Sequence, residues 1–203
     1  MRSENKPKPP SELSFIEKAR RAQLIACTIE TIAALGYGQA SLAQIAKQAG
    51  VSKGVISYHF TSKDALIEQV AVEIFRTWGT FMGAQVEAEP TARGKLRAYI
   101  ASSLSFMTIH RQHLTALLEI LFNARPTPAP LAEAHRHSLC DLERLLIWGQ
   151  ETGEFGAFSP QVMALVIRNA IDIAPGKLTS EQDFDLGTFT VELTALFDRA
   201  TRA

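Results

Sequence analysis

The sequence predicts an all-α protein of about nine helices, a small N-terminal head on a larger helical body. Three observations predict it. Apolar side chains recur at helical spacing through most of the chain. Glycine, proline and serine fall about one helix length apart, where helices begin and end. No stretch alternates with period two for long enough to argue for a strand, and there is no internal repeat. With 203 residues, 46% hydrophobic and 21% charged, the composition is that of an ordinary globular chain. It has room for one large domain, or two small ones that share a core.

The elements follow in order. Residues 1–14, MRSENKPKPPSELS, are rich in Pro and Lys and read as a mobile arm. Phe15–Leu35 is a long amphipathic helix, with Ser14 as N-cap and apolar residues at 15, 22, 25, 26, 29, 32 and 33. Gly36 and Gly38 end it. Leu42–Ala49 comes next, with Leu42, Ile45, Ala46 and Ala49 on one face. Ser41 is placed to cap this helix and Gly50 to be the left-handed residue that ends it. Val51 is expected to bury under the turn, and Ser52 to cap a second short helix running to about Phe60.

Ser62 caps the following helix, and Asp64 in its first turn suits the positive helix end. Apolar positions carry it to about Gly83. Pro90 breaks the chain and Thr91 starts a helix with Leu96, Tyr99, Ile100, Leu104, Phe106 and Met107 on its apolar face. A bend near His110 separates it from Leu114–Asn123, which is apolar nearly all round and therefore expected to be buried. Pro126–Pro130 is a loop by its prolines, and Leu131–Thr152 a helix with Gly153 as C-cap. Ser159-Pro160 opens a helix that stops before Pro175-Gly176. Residues 177–182 are a polar loop, and Phe184–Arg199 is the last helix.

The stretch Ser41–Lys63 organises the rest. A helix, a glycine turn and a second small helix make a helix-turn-helix, whose second helix enters the DNA major groove. The charge distribution agrees. Residues 1–64 carry nine Lys or Arg against five Asp or Glu, and residues 65–203 carry twelve against sixteen, so a basic head offsets an acidic body.

Other classes are excluded on motif grounds. No GxSxG, HExxH or P-loop is present, nor a GxGxxG followed by an acid at the right distance, so no enzyme is predicted. Cys27 and Cys140 lack CxxC or zinc-ligand companions and read as buried thiols. His135 and His137 point away from each other on a helix, and no metal or cofactor is expected. No apolar run reaches the ~18 residues of a membrane span. Met1–Pro10 is polar rather than signal-like, so a cytoplasmic location is expected.

Residues 20–67 resemble the N-terminal domain of the TetR family of bacterial transcriptional regulators. The resemblance rests on Leu35-Gly36-Tyr37, Ala40-Ser41-Leu42, Ile45-Ala46, the run Ala49–Gly54, Tyr58-His59-Phe60 and the run Ser62–Leu66. It covers about a quarter of the chain. It implies an arm (1–14), a helix-turn-helix DNA-binding domain (15–62) and a helical ligand-binding and dimerisation domain (63–203). The chain departs from the family pattern at Val55, where Thr is frequent, and at Ser57, where Tyr is frequent and usually touches DNA.

On that basis Ser41, Gln44, Ser52, Lys53, Gly54, Val55, Ser57, Tyr58, His59 and Lys63 form the expected DNA face. Lys53, at the leading end of the second helix, can donate to guanine O6 and N7. Gly54 permits close backbone approach, and Val55 can meet a thymine methyl. Tyr58 and His59 suit phosphates, with packing of Tyr58 on the first helix as the alternative. Lys63, Ser41 and Gln44 reach further phosphates, and Arg2, Lys6 and Lys8 of the arm can follow the backbone or simply face water.

The resemblance further implies a homodimer through the last two helices and a small-molecule effector in the body. Phe106, His110, Glu119, Phe122, Asn123 and Trp148 are the pocket candidates. Glu119, inside LTALLEILF, must be paired or used: beside aromatics it suits a cationic ligand, and it can equally pair with Arg97, Arg111 or Arg144. Arg168, Asn169 and Asp172 interrupt an apolar helix, either to bond across a dimer or to face solvent. The function implied is a dimeric repressor of double-stranded operator DNA released by a ligand. A regulator or activator without an inducer pocket is the first alternative, and an enzyme with an incidental helix-turn-helix the second.

Overall fold

The computed structural model describes residues 14–203, so the expectations for Arg2, Lys6 and Lys8 lie outside the described residues. These residues form ten helical segments, one more than the predicted nine: α1 (Phe15–Leu35), α2 (Leu42–Gln48), α3 (Lys53–His59), α4 (Lys63–Glu87), α5 (Ala92–Ile109), α6 (Arg111–Asn123), α7 (Ala129–Glu151), α8 (Pro160–Asp172), α9 (Ala174–Ser180) and α10 (Leu186–Ala200). The all-α prediction is observed. Only an isolated bridge between Phe155 and Arg202 is strand-like among the described residues.

The chain divides into two compact units. The first runs through Phe75 and also includes Gln112–Leu131; the second comprises Arg76–Arg111 and Ala132–Ala203. This partition runs differently from the sequence boundary at Ser62–Lys63, because it divides inside α4 and groups most of α6 with the head.

Helix starts follow from local capping. The Ser14 side chain accepts from the Glu17 amide while Glu17 reaches back to the Ser14 amide, a complete capping box. Ser41, Thr91 and Ser159 each accept the amide three residues on, and Ser62 does the same for Ala65. Gly36, Gly50 and Gly153 have φ of 81°, 64° and 74°, the left-handed region that favours glycine.

Four elements differ from expectation. α4 runs one turn further, to Glu87. α6 is not buried all round: Leu121 and Phe122 are exposed. α9 lies across the segment expected to be a loop, because Pro175 sits in its first turn, where its missing N–H costs nothing. α1 buries Leu24, Thr28, Ile29, Thr31 and Ile32, whereas Ala22 and Ala26 are exposed. Thr28 and Thr31 tolerate burial because each hydroxyl donates to the carbonyl four residues back. Cys27 is half-buried and Cys140 exposed, so the two are not the buried pair of thiols expected.

Candidate nucleic-acid interface

The three head helices pack in sequence, α1 on α2 and α2 on α3, over a core that includes Leu24, Ile32, Ile45 and Ile56, all fully buried. α1 also ties the other two down through polar side chains. Gln23 Nε2 donates to the carbonyl of Ala49, at the end of α2 (3.3 Å). Arg21 donates to the carbonyl of His59, at the end of α3, and stacks 4.3 Å over the Phe60 ring. Tyr58 Oη donates to Glu17 Oε1 (2.8 Å). The open carbonyls at two helix ends are thereby satisfied by one neighbouring helix, which fixes the angle at which α3 stands.

The turn between α2 and α3 is tight. Gly50 takes the left-handed conformation, and the Val51 amide donates to Ala46 O at 3.0 Å. Ser52 occupies the N-cap of α3 by its backbone angles but makes no side-chain cap bond. Its hydroxyl is therefore not committed to the helix. Ser52, Lys53, Gly54 and Ser57 are exposed, as are Ser41 and Gln44 at the start of α2, and Val55 is partly so. The leading end of α3 thus shows one long cation, one hydroxyl and a bare backbone.

Three expected DNA residues sit differently. His59 is only 6% exposed, with its ring edge-on to Tyr58. Burial pushes its imidazole below the ordinary value; Arg21 and Arg20 act in the same direction and Glu17 opposes them. Tyr58 is bonded to α1, as its alternative reading expects, and is 39% exposed. Lys63 Nζ donates to Tyr37 O (3.0 Å) and lies 4.4 Å over the Tyr37 ring, half-buried, and desolvation lowers its pKa.

The sequence reading missed Arg21 and Gln23. The available signal was Arg21's place three and seven residues before Leu24 and Thr28 on the buried stripe of α1.

The neutral core histidine has a consequence for stability. The folded state holds His59 below its unfolded value of 6.5, so the unfolded chain binds more protons in the window beneath that value. The contribution is intact above pH 6.5 and is lost as pH falls below it. Urea midpoints measured from pH 8 to pH 5 are expected to fall in this window, and to fall less in His59→Gln.

The pocket candidates are divided between the units. Phe106 and His110 stack at 4.4 Å in the second unit, where Trp148 is half-buried on α7. Glu119, Phe122 and Asn123 belong to the first. Glu119 meets none of the expected arginines. Its Oε2 accepts the Tyr37 amide (2.8 Å), next to the end of α1, and Asn123 Nδ2 at 3.3 Å. Lys63 and Glu119 thus grip the carbonyl and amide of the same loop residue.

In the second unit Arg168 faces its own body, fulfilling neither of its expected roles. It bonds Asp172 and Tyr99, while Asn169 is exposed and donates to Leu165 O. No cluster of metal-binding side chains occurs among the described residues, and no helix there is long and apolar enough to cross a membrane.

Residues 24–70 match the family model described as bacterial regulatory proteins, tetR family. The HTH-type transcriptional regulator BetI of Cronobacter sakazakii is 30% identical over 115 residues, covering 56% of this chain and 57% of the relative. The chain spans about half the length of the curated relatives it matches. Two solved structures share the fold at lower identity. A transcriptional regulator from Saccharomonospora viridis in complex with choline aligns with TM-score 0.81 and 17% identity over 91% of this chain and 98% of that one. FadR from Bacillus subtilis in complex with stearoyl-CoA aligns with TM-score 0.76 and 24% identity over 86% and 96%. The head, residues 24–70, is that of the tetR family of bacterial regulatory proteins, and the fold of the whole chain is shared with solved transcriptional regulators.

Proposed function

We propose that the protein is a DNA-binding transcriptional regulator of the cytoplasm, acting as a dimeric repressor that a small molecule releases from its operator. The observation that carries this reading is the exposed leading end of α3, Ser52–Gly54, held at a fixed angle by the α1 side chains. Lys53 supplies the cation for a guanine edge, Gly54 the close approach, and Ser41 and Gln44 the flanking phosphate contacts. His59 acts from the core, by supporting the helix end.

The dimer reading is supported by α8 and α10. Val162, Leu165 and Val166 form an exposed apolar stripe opposite the buried Ala164, Ile167 and Ile171, and α10 exposes Val191 and Leu196. Two such helices from each subunit make a four-helix interface that removes this surface from water. A pair of heads then reaches successive major grooves, about 34–36 Å apart. The ligand reading is supported by similar folds that hold choline and stearoyl-CoA.

A gel shift with the DNA upstream of its own coding region tests the reading. Binding is expected in low salt without ligand and is expected to weaken steeply as salt rises, because released counterions drive it. A folded dimer that leaves all upstream DNA unshifted in low salt would falsify it.

A further inference from the structure

The buried charge of the second unit points to the class of ligand, given the ligand-responsive reading above. Arg168 lies on α8 with its side chain 7% exposed. Among the described residues it is the permanently charged side chain that is buried, and no carboxylate shares that status. A guanidinium has five N–H donors. Nε donates to Asp172 Oδ1 (3.0 Å), as does Nη2, and Nη1 reaches Tyr99 Oη (3.4 Å). Because Tyr99 Oη accepts there, its own proton goes to Ser138 Oγ, 2.7 Å away. Two guanidinium N–H groups are left without a protein acceptor among the described residues.

The surroundings are asymmetric. Asp172, the carboxylate that pairs with the cation, is 41% exposed and lies 3.7 Å from His135 Nδ1 at the solvent edge. On the other side is an aromatic wall. Arg168 lies 6.0 Å over the Trp78 ring, and Trp78 stacks on Phe106 at 4.8 Å with 10° between the planes.

We propose that Arg168, positioned by Tyr99, forms the anion subsite of the body, and that its ligand is an amphipathic organic carboxylate. Its head replaces Asp172 on the Arg168 fork, and its apolar part meets the Trp78 ring, whose other neighbour is Phe106. A carboxylate matches the planar fork with two parallel hydrogen bonds. Exchanging one carboxylate for another keeps the buried cation paired, so the fold and not the ligand bears the cost of its desolvation. Asp172 retains water and His135 when displaced. A quaternary ammonium would instead meet a fixed positive charge in a poorly screened site with no buried carboxylate to hold it.

The test titrates the full chain with decanoate, benzoate and choline, followed by calorimetry and tryptophan fluorescence. Decanoate is expected to bind saturably and quench Trp78, benzoate to bind more weakly, and choline to give no heat. Arg168→Lys keeps the charge but not the fork, and is expected to weaken decanoate about tenfold. Asp172→Asn removes the internal competitor and is expected to tighten decanoate about tenfold, the opposite sign from a merely structural pair. Saturable choline binding without decanoate binding overturns the proposal. So does decanoate binding that neither variant changes. The wild-type protein without probe is gel-shifted alongside. Lost DNA binding counts against the regulator reading, whereas intact DNA binding with no carboxylate binding overturns only the ligand class.

Discussion

Gly54→Ala is expected to leave the head folded, and slightly more stable, while weakening operator binding by roughly ten- to a hundredfold, the scale of one lost groove contact. The two effects have opposite signs for separate reasons. A Cβ at Gly54 meets only Ser52 Oγ at 3.6 Å, an ordinary van der Waals distance, so nothing in the fold resists it. Alanine also costs a helix about 1 kcal/mol less than glycine. In the proposed DNA complex the same methyl group stands on the exposed leading end of α3, where the backbone comes close to the groove. Chemical denaturation and fluorescence anisotropy on one preparation separate the two terms. Unchanged DNA affinity would mean that this end of α3 does not enter the groove.

The capping residues explain why so much of the head was legible. Ser14, Ser41, Ser62, Thr91 and Ser159 bond amides within three residues of themselves, so sequence alone identifies those helix starts. Glycine at positive φ marks the turns after α1 and α2 for the same local reason. Legibility stops where a side chain chooses a partner far along the chain. His59 reads as an exposed imidazole until Arg21, 38 residues earlier, covers its end of α3. Glu119 reads in the sequence as a carboxylate that needs a partner, but no periodicity reveals that the partner is a backbone amide 82 residues away. Arg168 interrupts an apolar helix in a way that suits an outer edge as well as a buried fork. Only the positions of Tyr99 and Asp172 decide between them.

Gly149 is a further case in which sequence is silent, and it sets up the largest expected loss of stability. It lies near the end of α7, and nothing in LIWGQETGEF marks it as special. In the structure the chain turns at Gly153, φ 74°, and folds Phe155 back over it; the Phe155 amide donates to Gly149 O at 2.9 Å. A Cβ on Gly149 would stand 2.1 Å from Cδ2 and 2.3 Å from Cε2 of that ring. The ring has little freedom to give way. Phe155 is 4% exposed, and its backbone is held by the Gly149 bond and by the bridge to Arg202. Gly149→Ala is therefore expected to destabilise the second unit by roughly 2–3 kcal/mol, overpacking outweighing the gain in helix propensity. Gly79→Ala is the control, since it sits within α4 with nothing inside 4 Å of its Cβ. That change is expected to stabilise by about 0.5–1 kcal/mol. Urea unfolding of the two variants should shift in opposite directions. Phe155→Ala alone opens a cavity, and combined with Gly149→Ala it removes the clash, so the double variant should lose less than the sum of the two. Additive losses would mean that the ring does not lie against Gly149, and that the turn at Gly153 closes in some other way.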